Sequence, residues 1–357
     1  MGTGEATLDE ANVERVSTAS RPWLRRDELA LLAVALLSAV ACLATGTGFS
    51  FWRVFKVYAE FFALYYMVVF MATRLGYGIV RSDGSGGARA WLQEHVLRYR
   101  GPDDVLRPDR EMVRGGLCFL LALTAYTNVK VRVPVLNATV TDSAFAAMDR
   151  ALFGTDFVWL GRAVVANPAW DGLLMRIYLH DYLFIAAAAL VLHLRRDHQA
   201  LRVLFIASGF VYLIGIWWTV ALPNYGPCFV DAANWRWLST HTVGGFQETL
   251  ARGMADAVAA GQAGREIRVN AFSGAAAFPS LHVGHMALVG MLCWQSRGAR
   301  WLGIVIAVAT LATAVATVAY GWHYLVDTPG GLLIAWAALH VTRKLIASDP
   351  EPAQRAS

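Results

Sequence analysis

The stretch "WLGIVIAVATLATAVATVAYGW", Trp301 to Trp322, carries no ionised side chain over 22 residues. About 20 such residues in an α-helix cross the hydrocarbon core of a bilayer, because a helix satisfies its backbone hydrogen bonds internally. "LALLAVALLSAVACLATGTGFSF", Leu29 to Phe51, reads the same way. The whole chain of 357 residues agrees: 57% of it is hydrophobic and only 16% charged, against about a quarter charged in a soluble domain. The expected fold is all-α, a polytopic membrane helical bundle with about eight transmembrane helices. The candidate spans are 27–48, 53–78, 112–129, 172–194, 201–222, 281–296, 300–320 and 325–345.

These spans divide the chain into a cytoplasmic tail (1–26), two N-terminal spans with a basic loop (27–111), a catalytic transmembrane domain (112–346) and a second tail (347–357). The polar, acid-bearing start lacks the form of a cleaved signal peptide. Most Lys and Arg residues, including the run Arg74, Arg81, Arg89, Arg98, Arg100, Arg107, Arg110 and Arg114, fall on the side of the two termini. The positive-inside rule then puts both termini in the cytoplasm and the segments Lys130–Trp170, Pro223–Pro279 and the turn at His323 outside. The basic residues are scattered through loops without interleaved aromatics, which argues against nucleic acid as a partner. The four cysteines lack metal-type spacing and imply no disulfide framework.

Two outer segments carry chemistry. In "GWHYLVDTPGG", Gly321 to Gly331, His323 and Asp327 are four apart; on a helix they share a face, and the carboxylate orients the imidazole as a nucleophile or base. In "AAFPSLHVGH", Ala276 to His285, Pro279 stops the loop and Ser280 caps a helix whose free N–H groups suit an anion, with His282 beside it. Two histidines beside an anion site suggest phosphoryl transfer. Structural histidines at a membrane interface, and a metal site built from His282, His285 and Asp327, are the competing readings. "YLHDY" sets His180 and Asp181 inside the fourth span, to bind a headgroup or to bridge helices. "DSAFAAMDRALFGTDFVWLGRAVV" reads as one amphipathic interfacial helix that takes Asp142 and Asp149 with it.

"FPSLHVG" and "WHYLVDTPGG" resemble the second and third motifs of the type 2 phosphatidic acid phosphatase superfamily, and particularly its branch containing the inositol phosphorylceramide synthases. "MDRALFGTD", Met148 to Asp156, and "LPNYGP", Leu222 to Pro227, are similar to segments that precede those motifs. The resemblance implies a six-helix core and a metal-independent reaction through phosphohistidine, with no cofactor. His323 would attack phosphorus, Asp327 would orient it, and His282 would protonate the leaving group. Ser280 would hold phosphoryl oxygens, and the substrate would be a phospholipid or polyprenyl phosphate. The Ser-Arg pair of the phosphatase form is replaced by Ala316 and Thr317, and Leu281 stands where phosphatases carry Gly. Lys130 and Arg132 are the first candidates for the missing cation, and Arg176, Arg236 and Arg268 the next. The loss of that arginine favours transfer to a lipid hydroxyl over hydrolysis. His180, Asp181, Tyr320 and His285 complete the expected substrate contacts. A non-catalytic lipid-binding or transport protein is the reading from another class.

Overall fold

The computed structural model describes residues 24–81, 110–269 and 274–349. Among them the chain is helical with no strand. In order come α1 (Arg26–Ala44), α2 (Phe51–Arg81), α3 (Arg110–Leu136), α4 (Asp142–Phe153), α5 (Val158–Val165), α6 (Pro168–Leu179), α7 (Asp181–Leu194) and α8 (His198–Ala221). Two single turns, α9 (Pro227–Val230) and α10 (Ala232–Trp235), lead to α11 (Thr242–Gln262), α12 (Leu281–Gln295), α13 (Arg300–Ala319) and α14 (Asp327–Ala347). The N-terminal tail, most of the basic loop and the last residues lie outside the described segments.

Five helices, α1, α3, α8, α13 and α14, are long and apolar enough to span a bilayer. The pair α6–α7, bent by 55°, makes a sixth if taken as one span. Among the described residues this accounts for up to six of the eight expected spans. The 15 residues of α12 rise only about 22 Å, less than a bilayer core. Short as it is, α12 is mostly buried, wedged among α7, α8, α13 and α14.

Three expectations change. The third span runs on to Leu136, so Lys130 and Arg132 lie on the last turns of α3 and not in an outer loop. The single amphipathic helix is two, α4 and α5: Gly154 leaves α4 with φ 74°, a left-handed conformation that costs glycine little. The fourth span breaks at His180, whose ring Nδ1 lies 2.9 Å from the Arg176 carbonyl and closes the end of α6. The restart puts Asp181 at the first position of α7, where the helix dipole favours a carboxylate.

The main core joins Leu31 of α1, Ala122 of α3, Leu204 and Phe210 of α8, Met286 and Val289 of α12, Ile306 of α13 and Ala335 of α14. Ion pairs bind one end of this bundle. Arg114 pairs with Glu28 at 2.5 Å, Arg202 with Asp27 at 2.5 Å and with Asp349, and Arg25 with Glu111. Because the helices alternate in direction, the C-terminal ends of α1, α3, α8 and α13 and the N-terminal ends of α12 and α14 meet at the opposite end. A second, aromatic cluster of Tyr178, Trp235, Tyr320 and Trp322 packs there.

Candidate active site

Two helix starts meet at this second end. A Cβ on Gly331 would lie 2.2 Å from the Ser280 carbonyl oxygen, and one on Gly284 would lie 2.6 Å from the Gly331 oxygen. Glycine at both positions lets α12 and α14 cross almost backbone to backbone. The crossing allows Ser280 N–H to donate to the Asp327 carbonyl at 3.1 Å, so the two histidine segments flank one point.

His323 does not sit on a helix. Residues 321–326 form a turn, α14 begins at Asp327, and Asp327 N–H closes the turn onto the Tyr324 carbonyl at 3.1 Å. The turn still brings the pair together: His323 Nδ1 donates to Asp327 Oδ2 at 3.3 Å, with side-chain exposures of 5% and 0%. Asp327 also accepts from Tyr324 N–H at 2.9 Å and from Asn224 Nδ2 at 3.4 Å. With Nδ1–H committed to the carboxylate, the lone pair of the neutral ring is on Nε2, the nitrogen able to attack an electrophile.

His282, on the first turn of α12, makes a second imidazole–carboxylate pair. Its Nδ1 donates to Asp181 Oδ2 at 2.9 Å, and its Nε2 accepts from Tyr178 OH at 3.2 Å. This ring is more open, with its side chain 41% exposed. The Tyr178 ring packs 4.7 Å from His282 and 4.2 Å from Trp322, and so bridges the two histidine segments. Tyr178→Phe keeps both ring contacts and removes one neutral hydrogen bond of about 1 kcal/mol. Its turnover should fall about fivefold; an unchanged rate would show that the hydroxyl does not tune His282.

Ser280 was expected to cap α12, but it makes no cap hydrogen bond. Its Oγ is buried and has no hydrogen-bond partner among the described residues. A free hydroxyl beside the unpaired N–H groups of a helix start is an arrangement that receives anionic oxygen.

The other expected contacts are divided between this site and elsewhere. Asp181 is in the site, whereas His180 is exposed and bonds back to α6. His285 is withdrawn from both roles considered for it: its Nδ1 meets Tyr212 OH at 3.0 Å and its Nε2 meets Ser208 Oγ at 2.7 Å, buried against α8. Tyr320 donates to Asp171 Oδ1 at 2.8 Å, and the same carboxylate accepts from His241 Nε2 at 2.9 Å. That group ties α6 to the start of α11 and leaves the tyrosine hydroxyl engaged.

Arg132 is likewise engaged. Its guanidinium donates to Thr47 Oγ1 at 2.9 Å, the Thr47 carbonyl at 3.0 Å and the Asn128 carbonyl at 2.8 Å, holding the α1–α2 connection. Arg176, Arg236 and Arg268 are exposed. Lys130 has no carboxylate within ion-pair distance among the described residues. Its Nζ lies 6.0 Å from the Tyr126 ring centre, and that ring packs 4.9 Å from Tyr212. Among the described residues no group of three or more His, Cys, Asp or Glu is arranged to hold a metal ion.

Four more residues support the site. Asn224, fully buried, accepts from Phe278 N–H, takes Ala277 N–H on its carbonyl at 3.0 Å, and donates to Asp327. Tyr178 bridges the histidine segments. Asp142 and Asp149, expected at an interface, are buried against the site. Burial pushes both carboxyls above the usual carboxylate range, and the N–H groups that they accept from pull them back. Asp142, Phe145 and Asp149 fall at i, i+3 and i+7, a buried helical stripe that the sequence does display.

A family model described as the PAP2 superfamily matches residues 143–341. No curated protein and no solved structure matches the chain.

Proposed function

The chain belongs to the PAP2 superfamily, whose model covers more than half of it, and from that premise we propose a lipid phosphotransferase that works through phosphohistidine. Family membership and the apolar helices make it an integral membrane enzyme of the phosphatase or phosphotransferase type acting on a lipid phosphate. What supports this mechanism is a pair of imidazole–carboxylate units, His323–Asp327 and His282–Asp181, on two segments joined where Ser280 N–H meets the Asp327 carbonyl, with a Ser280 hydroxyl that has no partner among the described residues.

In the first step His323 Nε2 attacks phosphorus and a P–N bond forms. The bond from phosphorus to the leaving oxygen breaks, and that oxygen takes a proton from the charged form of His282, which Asp181 stabilises. In the second step neutral His282 removes the proton from an acceptor hydroxyl as its oxygen displaces His323. Ser280 and the start of α12 donate to the phosphoryl oxygens, where charge is spread in the transition state. Lys130 supplies the cation that Thr317 does not. Its replacement in Lys130→Met should raise KM about tenfold, the equivalent of about 1.4 kcal/mol, with a smaller change in kcat. An unchanged KM would remove Lys130 from the site.

The donor in this reading is a phospholipid or polyprenyl phosphate, and the acceptor a lipid hydroxyl, as in the inositol phosphorylceramide synthase branch. The buried His323 favours transfer, since a site closed to water protects a phosphorylated intermediate from hydrolysis. The exposed edge of His282 favours the second reading, a lipid phosphatase with water as the acceptor. We assign α2 and α12 to the membrane bundle beside the six spans, both termini to the cytoplasm, and the histidine end to the outer face of the cytoplasmic membrane. This follows the distribution of Lys and Arg. The test is incubation of the purified protein with labelled phospholipids and polyprenyl phosphates, with and without lipid alcohols and with chelator present. A new phosphodiester supports transfer, free phosphate supports hydrolysis, and no product with any donor rejects both.

A further inference from the structure

The turn that carries His323 is closed by Asp327 N–H on the Tyr324 carbonyl, but the N–H groups of Leu325 and Val326 find no backbone partner within it. Leu325 and Val326 immediately precede α14, where backbone N–H groups have no partner within the helix. Both are taken by one side chain from another element: Asp149 of α4 accepts Leu325 N–H on Oδ2 at 2.9 Å and Val326 N–H on Oδ1 at 3.0 Å. Two turns earlier on the same face, Asp142 accepts Tyr324 OH at 3.1 Å, Gly226 N–H at 2.9 Å and Tyr225 N–H at 3.1 Å. Between them Phe145 packs on Phe278 and Tyr324, with ring centres 4.9 and 6.0 Å apart. Every residue between His323 and Asp327 is therefore held from α4, and so is the connection that carries Asn224.

Keeping these carboxylates in place is costly. Asp142 and Asp149 are 1% and 3% exposed, and among the described residues neither is within ion-pair distance of Lys, Arg or His. Buried carboxylates without a cationic partner are expensive unless their hydrogen bonds are complete. Here every carboxylate oxygen accepts at least one hydrogen bond, and the donors belong to the two connections that frame the site. On the outer face of α4, Met148, Leu152 and Phe153 are exposed.

We propose that Asp149 and Asp142 are positioning residues for the phosphoryl transfer, α4 acting as a clamp that fixes the turn and thereby the direction of His323 Nε2. The inference rests on the reading of His323 as the nucleophile. A displacement of about 1 Å at a reacting group can lower a rate by about 100-fold, so loosening the clamp acts on kcat and leaves lipid binding in place.

The test compares Asp149→Asn, Asp149→Ala and Glu28→Gln with the full-length wild type in detergent micelles. Glu28→Gln breaks the pair with Arg114 at the far end of the bundle and reports what loss of stability alone does to turnover. Asparagine retains one acceptor and alanine none. The clamp predicts a fall in kcat of about tenfold for Asn and about 100-fold for Ala, with KM within twofold and no loss in Glu28→Gln. Hydrogen exchange over 321–328 should quicken in the same order, and it is read without substrate. A kcat within twofold of wild type in Asp149→Asn, unchanged exchange, or an equal loss in Glu28→Gln at a matched fall in melting temperature would overturn the proposal. If Asp149→Ala does not fold, the Asn variant decides. If the wild type turns over no lipid phosphate, the assignment of His323 fails, and the exchange data alone judge the clamp.

Discussion

Replacing His323 with asparagine is expected to lower turnover by at least about a thousandfold while the protein still folds and binds lipid. Asparagine can present an amide N–H where Nδ1 now stands, so the partner of Asp327 is preserved. What disappears is Nε2, and with it the bond to phosphorus. Asp327 keeps the Tyr324 N–H and Asn224 in either case, so its carboxylate is not left bare. Loss of a nucleophile commonly costs several orders of magnitude in kcat. The comparison is made on the solubilised protein, with melting temperature and lipid binding measured beside turnover. A variant that keeps more than about a tenth of the wild-type rate would show that phosphorus is attacked by another group, an activated water or an acceptor oxygen acting directly.

The second large effect is structural. In Gly331→Ala the new methyl group would enter the space of the Ser280 carbonyl, 2.2 Å from its oxygen, and lie 3.2 Å from Gly284 N. Both neighbours are backbone, so neither can turn aside, and α12 and α14 must separate. Overpacking of this kind costs about 1–3 kcal/mol, and the strain falls where Ser280 N–H meets the Asp327 carbonyl. The expected result is a melting temperature lower by several degrees and a rate reduced at least about tenfold at temperatures where the variant is still folded. Gly253→Ala is the matched control: its added Cβ would meet nothing within 4 Å on α11. Replacing that glycine inside a helix should be neutral or slightly stabilising. Equal behaviour of the two variants would mean that the crossing does not hold the site.

The sequence made the membrane helices legible because length and the absence of charge are enough to define a span. It was less informative where a span is interrupted. The break at His180 and the short, buried α12 depend on neighbours that a hydropathy pattern does not register. His323 and Asp327 were read as one helical face; they meet through a turn, and a spacing of four is satisfied by both geometries. Lys130 and Arg132 looked equivalent in "KVRVP". Two positions apart on α3, they point to different surroundings, and only the structure shows that Thr47 and Asn128 occupy the arginine. His285 and Tyr320 were drawn towards the site by proximity in sequence, whereas their hydroxyl and carboxylate partners come from α8 and α6. Tyr178 and Asn224 could not be found, since each acts through a contact with a segment about 100 residues away. Asp142 and Asp149 could have been found: two carboxylates seven residues apart, with Phe145 between them, mark the inner face of α4.

The most direct measurement is a quench experiment in chelator. Wild-type protein would be mixed with a lipid donor carrying radiolabelled phosphate and stopped within a turnover, and the label bound to protein would be mapped by peptide. Attack by His323 predicts a labelled species that survives base, is lost in acid, resides on the peptide containing His323, and is absent in His323→Asn. Turnover that needs a divalent metal, or that proceeds with no label on His323 at any quench time, would contradict it.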